Sequence, residues 1–279
     1  MTKTWFITGA ASGFGRAFAE HALARGYNVV ATAREPARLQ DLFAAAPERV
    51  LALALDVAQP GAAEPAIAAA LQRFGRIDVL INNAGYAVVG ALEETGEAEL
   101  RALMDTNFFG ALAVARAALP ALRAQRSGAI VNMSSLGGQL SFAGFSAYSA
   151  SKFALEGASE ALAQELAPFG IKVLIVEPGQ FRTNLAGGAM RYMPALEAYR
   201  DTSGETRRFA EDMNGTQDGD PRKAAAAIEA ALDAETTPLR LQLGADAVAA
   251  VRGHAETLLA DLAAWEDIAA ATAFDEAGA

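Results

Sequence analysis

Short apolar runs alternate with longer alanine-rich segments along most of the chain, and this alternation restricts the possible folds more than any other feature. Seven runs have the composition and length of strands: Thr4–Thr8, Asn28–Ala33, Val50–Asp56, Val79–Asn82, Ala129–Met133, Lys172–Glu177 and Leu239–Leu243. The segments between them carry helical periodicity, at Phe14–Arg25, Ala37–Ala45, Ala62–Phe74, Phe108–Ala124, Tyr148–Leu166 and Arg222–Ala234. Such alternation predicts right-handed βαβ units and a parallel sheet with helices on both faces.

The chain is long enough for one large α/β domain or two small ones. It has 279 residues, of which 52% are apolar, and this is ample for a sizeable core. No proline- or serine-rich linker divides the alternating pattern, and no internal repeat is visible. We therefore predict a single domain over residues 1–279, with a doubly wound parallel sheet of about seven strands.

Charge and cysteine content exclude several classes of partner. A formal net charge of −10 offers no basic surface, so neither nucleic acid nor a membrane is expected as a partner. The chain has no cysteine, and His21 and His254 suggest no ligand cluster, so no metal site is expected. The apolar stretch that ends at Gly9 is too short for a secretory signal, and no uncharged run reaches membrane-spanning length. We predict a soluble cytoplasmic protein.

The segment from Gln180 to Asp220 departs from the alternating pattern. It contains Gly187 and Gly188, many charges, and five large apolar or aromatic residues, namely Met190, Tyr192, Met193, Leu196 and Tyr199. Long irregular excursions in compact domains are often lids, so we predict a substrate lid over residues 180–220. An amphipathic surface helix is an equally open interpretation. Residues 246–279 are expected to form a C-terminal helical extension.

The glycine-rich stretch from Thr8 to Gly15, TGAASGFG, follows the first predicted strand and opens a predicted helix. In that position Gly9 allows a tight turn, Gly13 lets the backbone approach a pyrophosphate, and Gly15 permits close packing of the helix. The helix N-terminus attracts an anion. The stretch therefore predicts a dinucleotide-binding turn, although three glycines alone would be weak evidence.

The spacing Thr-Gly-x-x-x-Gly-x-Gly resembles that of the short-chain dehydrogenase/reductase family. Further motifs of the family follow in order: NNAG at Asn82–Gly85, Asn107 in TNFFG, NMSS at Asn132–Ser135, YSASK at Tyr148–Lys152 and EPGQFRT at Glu177–Thr183. The resemblance covers roughly residues 3 to 245. It implies a Rossmann-like fold, a nicotinamide cofactor, and hydride transfer between that cofactor and a carbonyl or alcohol carbon.

The spacing of Tyr148 and Lys152 places both side chains on one helix face, one turn apart. Alone, such a pair is more often structural, with a half-buried phenol and a solvated lysine. The phenol has an ordinary pKa of ~10, and a nearby cation would lower it toward working pH. The resemblance implies that Tyr148 is the proton donor and that Lys152 also binds the nicotinamide ribose.

Two further polar residues complete the catalytic group that the resemblance implies. Ser135 lies at the family's distance before Tyr148 and would hold the substrate oxygen. Ser134 is its rival, but alternate residues of a strand face opposite sides, which favours Ser135. Asn107 would hold a water that links Lys152 to solvent; a lone asparagine is more often a cap or turn residue.

The resemblance also implies a set of cofactor contacts along the carboxyl ends of the strands. Asp56 and Val57 match the adenine contact, and Thr183 matches the carboxamide contact, although Thr183 could also be a loop-capping residue. The complete set of expected contacts is Gly9, Ser12, Gly13, Phe14, Gly15, Arg34, Asp56, Val57, Asn83, Ala84, Gly85, Tyr148, Lys152, Pro178, Gly179 and Thr183.

The end of the second predicted strand favours NADP(H) over NAD(H). NAD-specific sites usually place an acidic residue there, which binds the ribose 2′-hydroxyl. Here Ala33 holds that position and Arg34 follows it, so a guanidinium could bind a 2′-phosphate. Glu35 would oppose the phosphate if it turned inward, although Pro36 indicates that the chain is already leaving the site.

These features predict an oxidoreductase that acts on a ketone, an aldehyde or a secondary alcohol. The apolar residues of the predicted lid favour a medium-sized apolar substrate, while Arg191 and Arg200 leave an anionic one open. Two alternatives are a catalytically silent nucleotide-binding protein and a related isomerase or dehydratase.

Small residues along the predicted helix Tyr148–Leu166, together with the resemblance, predict a homodimer or homotetramer. The alternative is that this helix lies wholly inside the domain.

Overall fold

The architecture is a seven-stranded parallel sheet, described here from a computed structural model that covers residues 2–274, with only the backbone described at residues 186 and 187. The strands in chain order are β1 Thr4–Ile7, β2 Asn28–Ala33, β3 Val50–Ala54, β4 Val79–Asn82, β5 Ala87–Val89, β6 Gly128–Met133, β7 Ile171–Pro178, β8 Met190–Tyr192 and β9 Arg240–Leu243. Within the sheet the order is β3-β2-β1-β4-β6-β7-β9, while β5 and β8 form a separate pair. The predicted doubly wound parallel sheet is confirmed.

Helices connect the strands and cover both faces. Their bounds are α1 Gly13–Ala24, α2 Gln40–Ala45, α3 Ala63–Phe74, α4 Glu97–Met104, α5 Gly110–Gln125, α6 Ser146–Leu166, α7 Leu185–Gly188, α8 Ser203–Asp212, α9 Pro221–Asp233 and α10 Ala245–Ala270. The helix predicted over Ala37–Ala45 begins instead as a 3₁₀ turn at Pro36–Leu39 and continues as α2. Because a proline at the first helical position needs no hydrogen-bond partner for its nitrogen, it starts that turn readily.

Successive residues of the central strands belong to two separate hydrophobic clusters. Trp5 and Ile7 of β1 pack into one cluster, and Phe6 between them packs into the other. This division follows from the strand period of two, since neighbouring side chains point to opposite faces. Helices α1 and α9 cover the first face, and α3 and α5 cover the second. Burial on both faces explains why the strands read as nearly continuous apolar runs.

The strand order reverses between β1 and β4, and this point locates the site. From β1 the chain moves outward through β2 to β3, then returns to pair β4 against the other side of β1. Helices on either side of such a reversal diverge, and they leave a crevice at the carboxyl ends of the strands. The glycine-rich turn after β1 and the segment after β4 both lie in this crevice.

The segment 180–220 is more regular than the sequence predicts. Strand β8 pairs in parallel with β5, in the register Ala87 with Met190 and Val89 with Tyr192, and α8 follows. Met193 then packs against the buried Val88 and Leu103. The segment is therefore attached to the domain by a small sheet and a hydrophobic cluster. Its movement as a lid stays a prediction, and so does the hinge at Gly187–Gly188, since only the backbone of Gly187 belongs to the described part of the chain.

Helix α10 starts at the edge of the sheet and extends away from it. Ala247 in its first turn is buried, whereas every residue from Ala255 to Ala270 is exposed. The predicted C-terminal extension is thus helical as far as Ala270, and residues 275–279 lie outside the described part of the chain. Within residues 2–274, no helix is both long and apolar enough to span a membrane.

Candidate active site

A cavity of about 1050 Å³ opens along the carboxyl ends of the central strands. Its volume lies at the upper end of the ~300–1,000 Å³ range of small-molecule sites, so it has room for a large ligand. Gly15 and Asn107 lie behind its wall. The other sequence-predicted site residues line it: Gly9, Ser12, Gly13, Phe14, Arg34, Asp56, Val57, Asn83, Ala84, Gly85, Ser135, Tyr148, Lys152, Pro178, Gly179 and Thr183.

The turn between β1 and α1 requires glycine for two separate reasons. Gly9 and Gly13 have φ angles of +68° and +55°, in the left-handed region that favours glycine. A Cβ atom on Gly15 would collide with the carbonyl group of Gly9. Ser12 precedes α1 without capping it through its side chain, so the first N–H groups of the helix are available to an anion.

Thr8 joins the glycine-rich turn to the segment after β4. Its Oγ1 accepts hydrogen bonds from the backbone nitrogens of Asn83 and Ala84, at 2.9 and 3.0 Å. In return, the Asn83 Nδ2 donates to the carbonyl oxygens of Thr8 and Gly9, at 2.9 and 3.2 Å. The floor of the crevice is therefore one hydrogen-bonded unit. The sequence includes Thr8 in the motif, but its linking role follows only from the contacts.

Helix α6 presents Lys152 to the end of β6. The Nζ of Lys152 donates a hydrogen bond to the carbonyl oxygen of Met133 at 2.8 Å, and the side chain is buried. Burial lowers the pKa of this ammonium to about 8, and the charge of Glu156 acts in the opposite direction. Gly85 lies next to this ammonium and leaves room for Asn107, because a Cβ on Gly85 would lie 3.0 Å from the Oδ1 of Asn107.

The pKa of Tyr148 corrects an expectation from the sequence. Burial raises the pKa of this phenol, and the hydrogen bond with Ser135 opposes the rise only in part. The predicted lowering by Lys152 is therefore wrong for the protein alone. The physical reason is position: the Nζ lies 5.7 Å from the centre of the Tyr148 ring and is hydrogen-bonded to Met133.

The two serines after β6 occupy different surroundings. The Ser135 hydroxyl interacts with Tyr148 and accepts a hydrogen bond from the backbone nitrogen of Gly137 at 3.1 Å. The Ser134 side chain instead lies against Gly138, on the side that also borders Glu156. Only Ser135 is thus grouped with the phenol, which agrees with the preference drawn from strand alternation.

Asn107 lies in a π-helical turn, Asp105–Phe109, between α4 and α5. Such turns often occur at functional sites, because the widened turn redirects a side chain. The Nδ2 of Asn107 donates to the carbonyl oxygen of Tyr86 and to the hydroxyl of Ser151, both at 3.0 Å. Its Oδ1 accepts from the nitrogen of Tyr86 at 3.1 Å. Asn107 therefore fastens the segment after β4 to α6 beneath Lys152.

Two arginines line the end of the cavity beyond β2. Arg34 and Arg38 are both exposed there, beside Ala33 and Glu35. A third arginine nearby, Arg16, is held by Asp41 and Glu20 at 2.6 Å each. Sequence reasoning missed Arg38, because Arg34 precedes the 3₁₀ turn that contains Arg38 and only the fold brings both arginines to the cavity.

The segment after β7 lies over the glycine-rich turn. The position of a Cβ on Gly13 is 3.2 Å from the Cβ of Thr183, so these two residues are in contact. The Oγ1 of Thr183 accepts a hydrogen bond from the nitrogen of Leu185 at 3.2 Å, which is the local capping role that the sequence left open. Asp246 of α10 fixes the same segment by accepting from the nitrogen of Gln180 at 2.7 Å.

The other end of the cavity has an apolar wall. Phe142, Phe145, Phe209 and Met213 line it together with Met190. Of the five apolar residues expected to face the substrate, Met190 alone lines the cavity within the described residues, whereas Tyr192, Met193, Leu196 and Tyr199 do not.

Arg191 and Arg200, the two arginines of this segment that the sequence left open for an anionic substrate, are both held by carboxylates. Arg191 lines the cavity, but it is paired with Glu99 at 2.8 Å. Arg200 lies away from the cavity and pairs with Glu197 and Asp201. An anionic substrate would therefore have to compete with existing ion pairs for either guanidinium.

A buried acidic network lies behind the site, and the sequence motifs did not indicate it, although one of them begins at Glu177. Glu156, one turn after Lys152, and Glu177, at the end of β7, are both buried. Gln139 donates to both carboxylates, at 3.2 and 3.1 Å, and Arg240 donates to Glu156 at 3.0 Å. Burial raises the pKa of Glu156, and it raises the pKa of Glu177 to about 7.

Comparison with known proteins gives concordant matches. The family model described as short chain dehydrogenase matches residues 3–191. A protein named oxidoreductase BOA17, from Botryotinia fuckeliana, is 42% identical over 98% of this chain and 100% of its own. A 3-ketodihydrosphingosine reductase from Bacteroides thetaiotaomicron is 39% identical over 85% of this chain and 86% of its own.

Solved structures share the whole fold. A short-chain dehydrogenase from Streptomyces avermitilis is 53% identical, with a TM-score of 0.93 over 98% of each chain. ElxO with NADP bound is 28% identical, with a TM-score of 0.74 over 89% of this chain and 100% of its own. A short-chain dehydrogenase/reductase from Burkholderia phymatum in complex with NAD is 26% identical, with a TM-score of 0.78 over 90% of this chain and 92% of its own. Similar structures thus bind either nicotinamide cofactor.

Proposed function

The chain belongs to the short-chain dehydrogenase/reductase family and is an NAD(P)-dependent oxidoreductase, and from that premise we propose that it interconverts an apolar ketone or aldehyde and its alcohol with NADP(H). One observation carries the finer proposal. The hydroxyls of Ser135 and Tyr148 meet in the cavity between a dinucleotide-sized crevice and a wall of aromatic and methionine side chains.

The residues of the crevice fit a dinucleotide. The close approach of Gly15 to Gly9, the left-handed Gly13 and the uncapped start of α1 make a turn whose bare backbone N–H groups suit a pyrophosphate. Asp56 and Val57 border the adenosine end, and Lys152 borders the nicotinamide end. When bound, the nicotinamide would supply or accept the hydride.

Tyr148 is the proposed general acid and base. Burial raises its pKa, so at neutral pH the phenol carries the proton that a carbonyl oxygen must receive in reduction. Ser135 holds that oxygen by its hydroxyl, which is fixed by the N–H of Gly137. In oxidation the phenol must first lose its proton, and the phenolate oxygen then takes the proton from the alcohol, so one residue serves both directions.

Lys152 and Asn107 support the proton transfer from behind. Lys152 is hydrogen-bonded to Met133, which keeps its ammonium beside the phenol ring and at the floor of the cavity. Asn107 holds the neighbouring backbone of Tyr86 with two hydrogen bonds. We propose that Lys152 binds the ribose hydroxyls and that Asn107 keeps open the polar route by which a proton is replaced from solvent.

The proposed preference for NADP(H) rests on charge at the end of β2. Arg34 and Arg38 both reach this end of the cavity, and Ala33 stands where NAD-specific enzymes have a carboxylate. Two guanidinium groups can bind a 2′-phosphate with charge-assisted hydrogen bonds. Glu35 is also at the rim and opposes the phosphate, so the net preference depends on the two arginines together.

The proposed substrate is a largely apolar ketone or secondary alcohol. Phe142, Phe145, Phe209 and Met190 provide an apolar surface next to the reacting hydroxyls, and the Arg191 charge is already neutralised by Glu99. The relative named as a 3-ketodihydrosphingosine reductase supports a ketone as the reacting group.

Association through α6 is also proposed. Ala150, Phe153 and Gly157 lie on the outward face of this helix, and Phe153 is 46% exposed. Within the part of the chain that the structure describes, no atom lies within 4 Å of the Cβ position of Gly157, so a second helix could approach the backbone closely. A homodimer or homotetramer formed through this face would bury Phe153.

The proposed activity is tested by initial rates at the absorbance of the reduced nicotinamide. NADPH and NADH are each offered with matched apolar and carboxylated ketones, and NADP⁺ with the corresponding alcohols. We expect steady turnover, faster with NADPH and with the apolar ketones. Cofactor binding without turnover on any of these compounds would contradict the proposal and favour a nucleotide-binding protein without chemistry.

A further inference from the structure

The outer part of α10 carries large apolar side chains that the rest of the described chain leaves uncovered. Leu258, Leu259, Leu262, Trp265 and Ile268 are each 55–66% exposed. Scattered single apolar residues on a surface are ordinary, but a continuous row along a projecting helix marks an interaction surface. This outer part of the helix belongs neither to the cofactor crevice nor to the outward face of α6.

The apolar residues of α10 follow a heptad repeat. The intervals alternate between three and four residues through Val248, Val251, Ala255, Leu258, Leu262, Trp265 and Ala269. Such a seam, repeated over three heptads, is the pattern by which one helix packs against another as a coiled coil. A helix that packs only on its own domain has a wider apolar stripe, and that stripe is buried.

We propose that the outer part of α10 pairs in an antiparallel coiled coil with α10 of a second copy of this chain. In one register the largest core residue, Trp265, meets the small Ala255, and two leucines of equal size meet at the centre. Leu258 meets Leu262 of the second copy, Trp265 meets Ala255, and Val251 meets Ala269. Each half of the helix is thus complementary in size to the other half. A parallel pair would place Trp265 against Trp265 and Ala255 against Ala255, which fills space unevenly.

Charge supports the same register. Arg252 and Glu266 lie beside the seam, at equivalent heptad positions, and the antiparallel register brings Arg252 of each copy opposite Glu266 of the other. Neither side chain has an ion pair within residues 2–274. The same register joins Leu259 to Leu259 near the two-fold axis. Asp261 lies on the other flank of the seam and is exposed, so water screens it from its counterpart.

The occupant is a second copy because the seam is complementary to itself. A single two-fold axis satisfies both the size pairing and the charge pairing, as isologous contacts require. The base of the same helix holds the cavity rim, since Asp246 accepts the hydrogen bond from Gln180 and Ala250 lines the cavity. Pairing of the helices therefore lies in direct continuity with a wall of the active site.

The first test is the mass of the full-length protein by sedimentation at micromolar concentration. All samples carry Phe153→Glu, which removes the proposed association through α6 and leaves the α10 pair. In this background the double variant Leu258→Glu/Leu262→Glu places four carboxylates in the seam of each pair and should halve the molar mass. The matched control, Ala263→Glu/Ala264→Glu, adds the same charge to the exposed opposite face and should leave the mass unchanged. Equal masses for Phe153→Glu alone and for the seam variant in that background would overturn the proposal.

A charge exchange tests the register. Arg252→Glu or Glu266→Arg alone should weaken association roughly three- to tenfold, because each creates two repulsive contacts per pair at an exposed position. The double variant Arg252→Glu/Glu266→Arg restores opposite charges and should recover the wild-type dissociation constant. Additive weakening in the double variant would contradict the antiparallel register.

Engineered cysteines test direction, and the natural chain has none to interfere. Val251→Cys/Ala269→Cys should form a covalent dimer under mild oxidation, since these positions meet across the pair. They lie about 27 Å apart within one helix, at ~1.5 Å per residue, so they cannot join internally. Either single variant should remain uncrosslinked. Crosslinking of a single variant would show a parallel pair, and no crosslinking of the double variant would exclude pairing in this register.

Discussion

The Nζ of Lys152 and the carbonyl oxygen of Met133 are joined by a hydrogen bond of 2.8 Å that fixes helix α6 to the end of β6. This contact holds a buried ammonium next to the proposed acid, Tyr148, at a pKa of about 8. The lysine is therefore positioned by the backbone and not by the phenol. Its burial has consequences for both stability and catalysis.

Replacing Lys152 with Met should stabilise the apoprotein at neutral pH while it abolishes most activity. Because the folded pKa of Lys152 is depressed from 10.5 to about 8, folding disfavours the ammonium below pH 8 and this cost disappears as the pH rises through 8 to 10.5. The stability advantage of Lys152→Met, measured by urea unfolding, should therefore shrink above about pH 8. An advantage that grows with pH, or unchanged turnover and cofactor affinity, would contradict the placement of Lys152.

Glu177 should make the protein less stable at neutral pH than in mildly acidic solution. Its folded pKa is raised from 4.5 to about 7 by burial, so the protonated form is favoured in the folded state, and stability is lost as the pH rises from 4.5 through 7. The charge of Glu156 also raises the pKa of this carboxyl, whereas the hydrogen bond from Gln242 and the charge of Arg240 lower it. Glu177→Gln should flatten the dependence of the urea midpoint on pH over this window.

The matched control for Glu177 is Glu160→Gln, which removes an exposed partner of the same Arg240. It should leave the slope of stability against pH close to that of wild type, since exposed ion pairs contribute ~0–1 kcal/mol. If Glu177→Gln kept the wild-type slope while Glu160→Gln flattened it, the buried carboxyl would not be the titrating group.

The arginines at the end of β2 should distinguish the two cofactors. Arg34→Ala should weaken NADPH binding by roughly ten- to a hundredfold, since a charge-assisted hydrogen bond contributes about 1.5–3 kcal/mol, and should barely change NADH binding. Arg38→Ala should act in the same direction, and Glu35→Ala in the opposite one. Fluorescence titration of each variant with NADPH and with NADH measures the two dissociation constants. Equal losses for NADPH and NADH would exclude a phosphate-binding role.

Met190 and Met193 should separate substrate contact from core packing. Met190→Ser should lower kcat/KM for apolar ketones relative to carboxylated ones, because Met190 lines the cavity. Met193→Ser should instead lower the melting temperature, because Met193 packs against Val88 and Leu103. Since Met193 is only half-buried, the loss of stability should be below the ~2–5 kcal/mol typical of a fully buried large side chain. A change in substrate preference from Met193→Ser alone would reverse the two roles.

The parallel sheet was predictable because each central strand is buried on both faces and so reads as a continuous apolar run. Strands β5 and β8 were not predictable from the sequence. Three residues are too few to show a hydrophobic period, and the pairing of these strands joins distant parts of the chain. The seam of α10 was visible in the sequence as alternating intervals of three and four, and only its exposure required the structure.

Most of the proposed site residues followed from motifs, whereas their electrostatics did not. Arg38, Thr8 and the buried Glu156 become significant only when the fold brings them to the cavity wall or behind it. The direction of the Tyr148 pKa depends on how deeply the phenol is buried, which spacing alone does not give. The cytoplasmic location, the lid movement and the cofactor preference stay predictions.

Hydride transfer by Tyr148→Phe is the most direct test of the proposed chemistry, because this change removes the acid oxygen and keeps the ring. Single-turnover reduction of an apolar ketone by bound NADPH is followed at the absorbance of the reduced nicotinamide, with cofactor affinity measured on the same samples. We expect unchanged affinity for NADPH and a rate lowered on the order of 10²–10⁴-fold. A rate equal to that of wild type would contradict the assignment of Tyr148 as the proton donor.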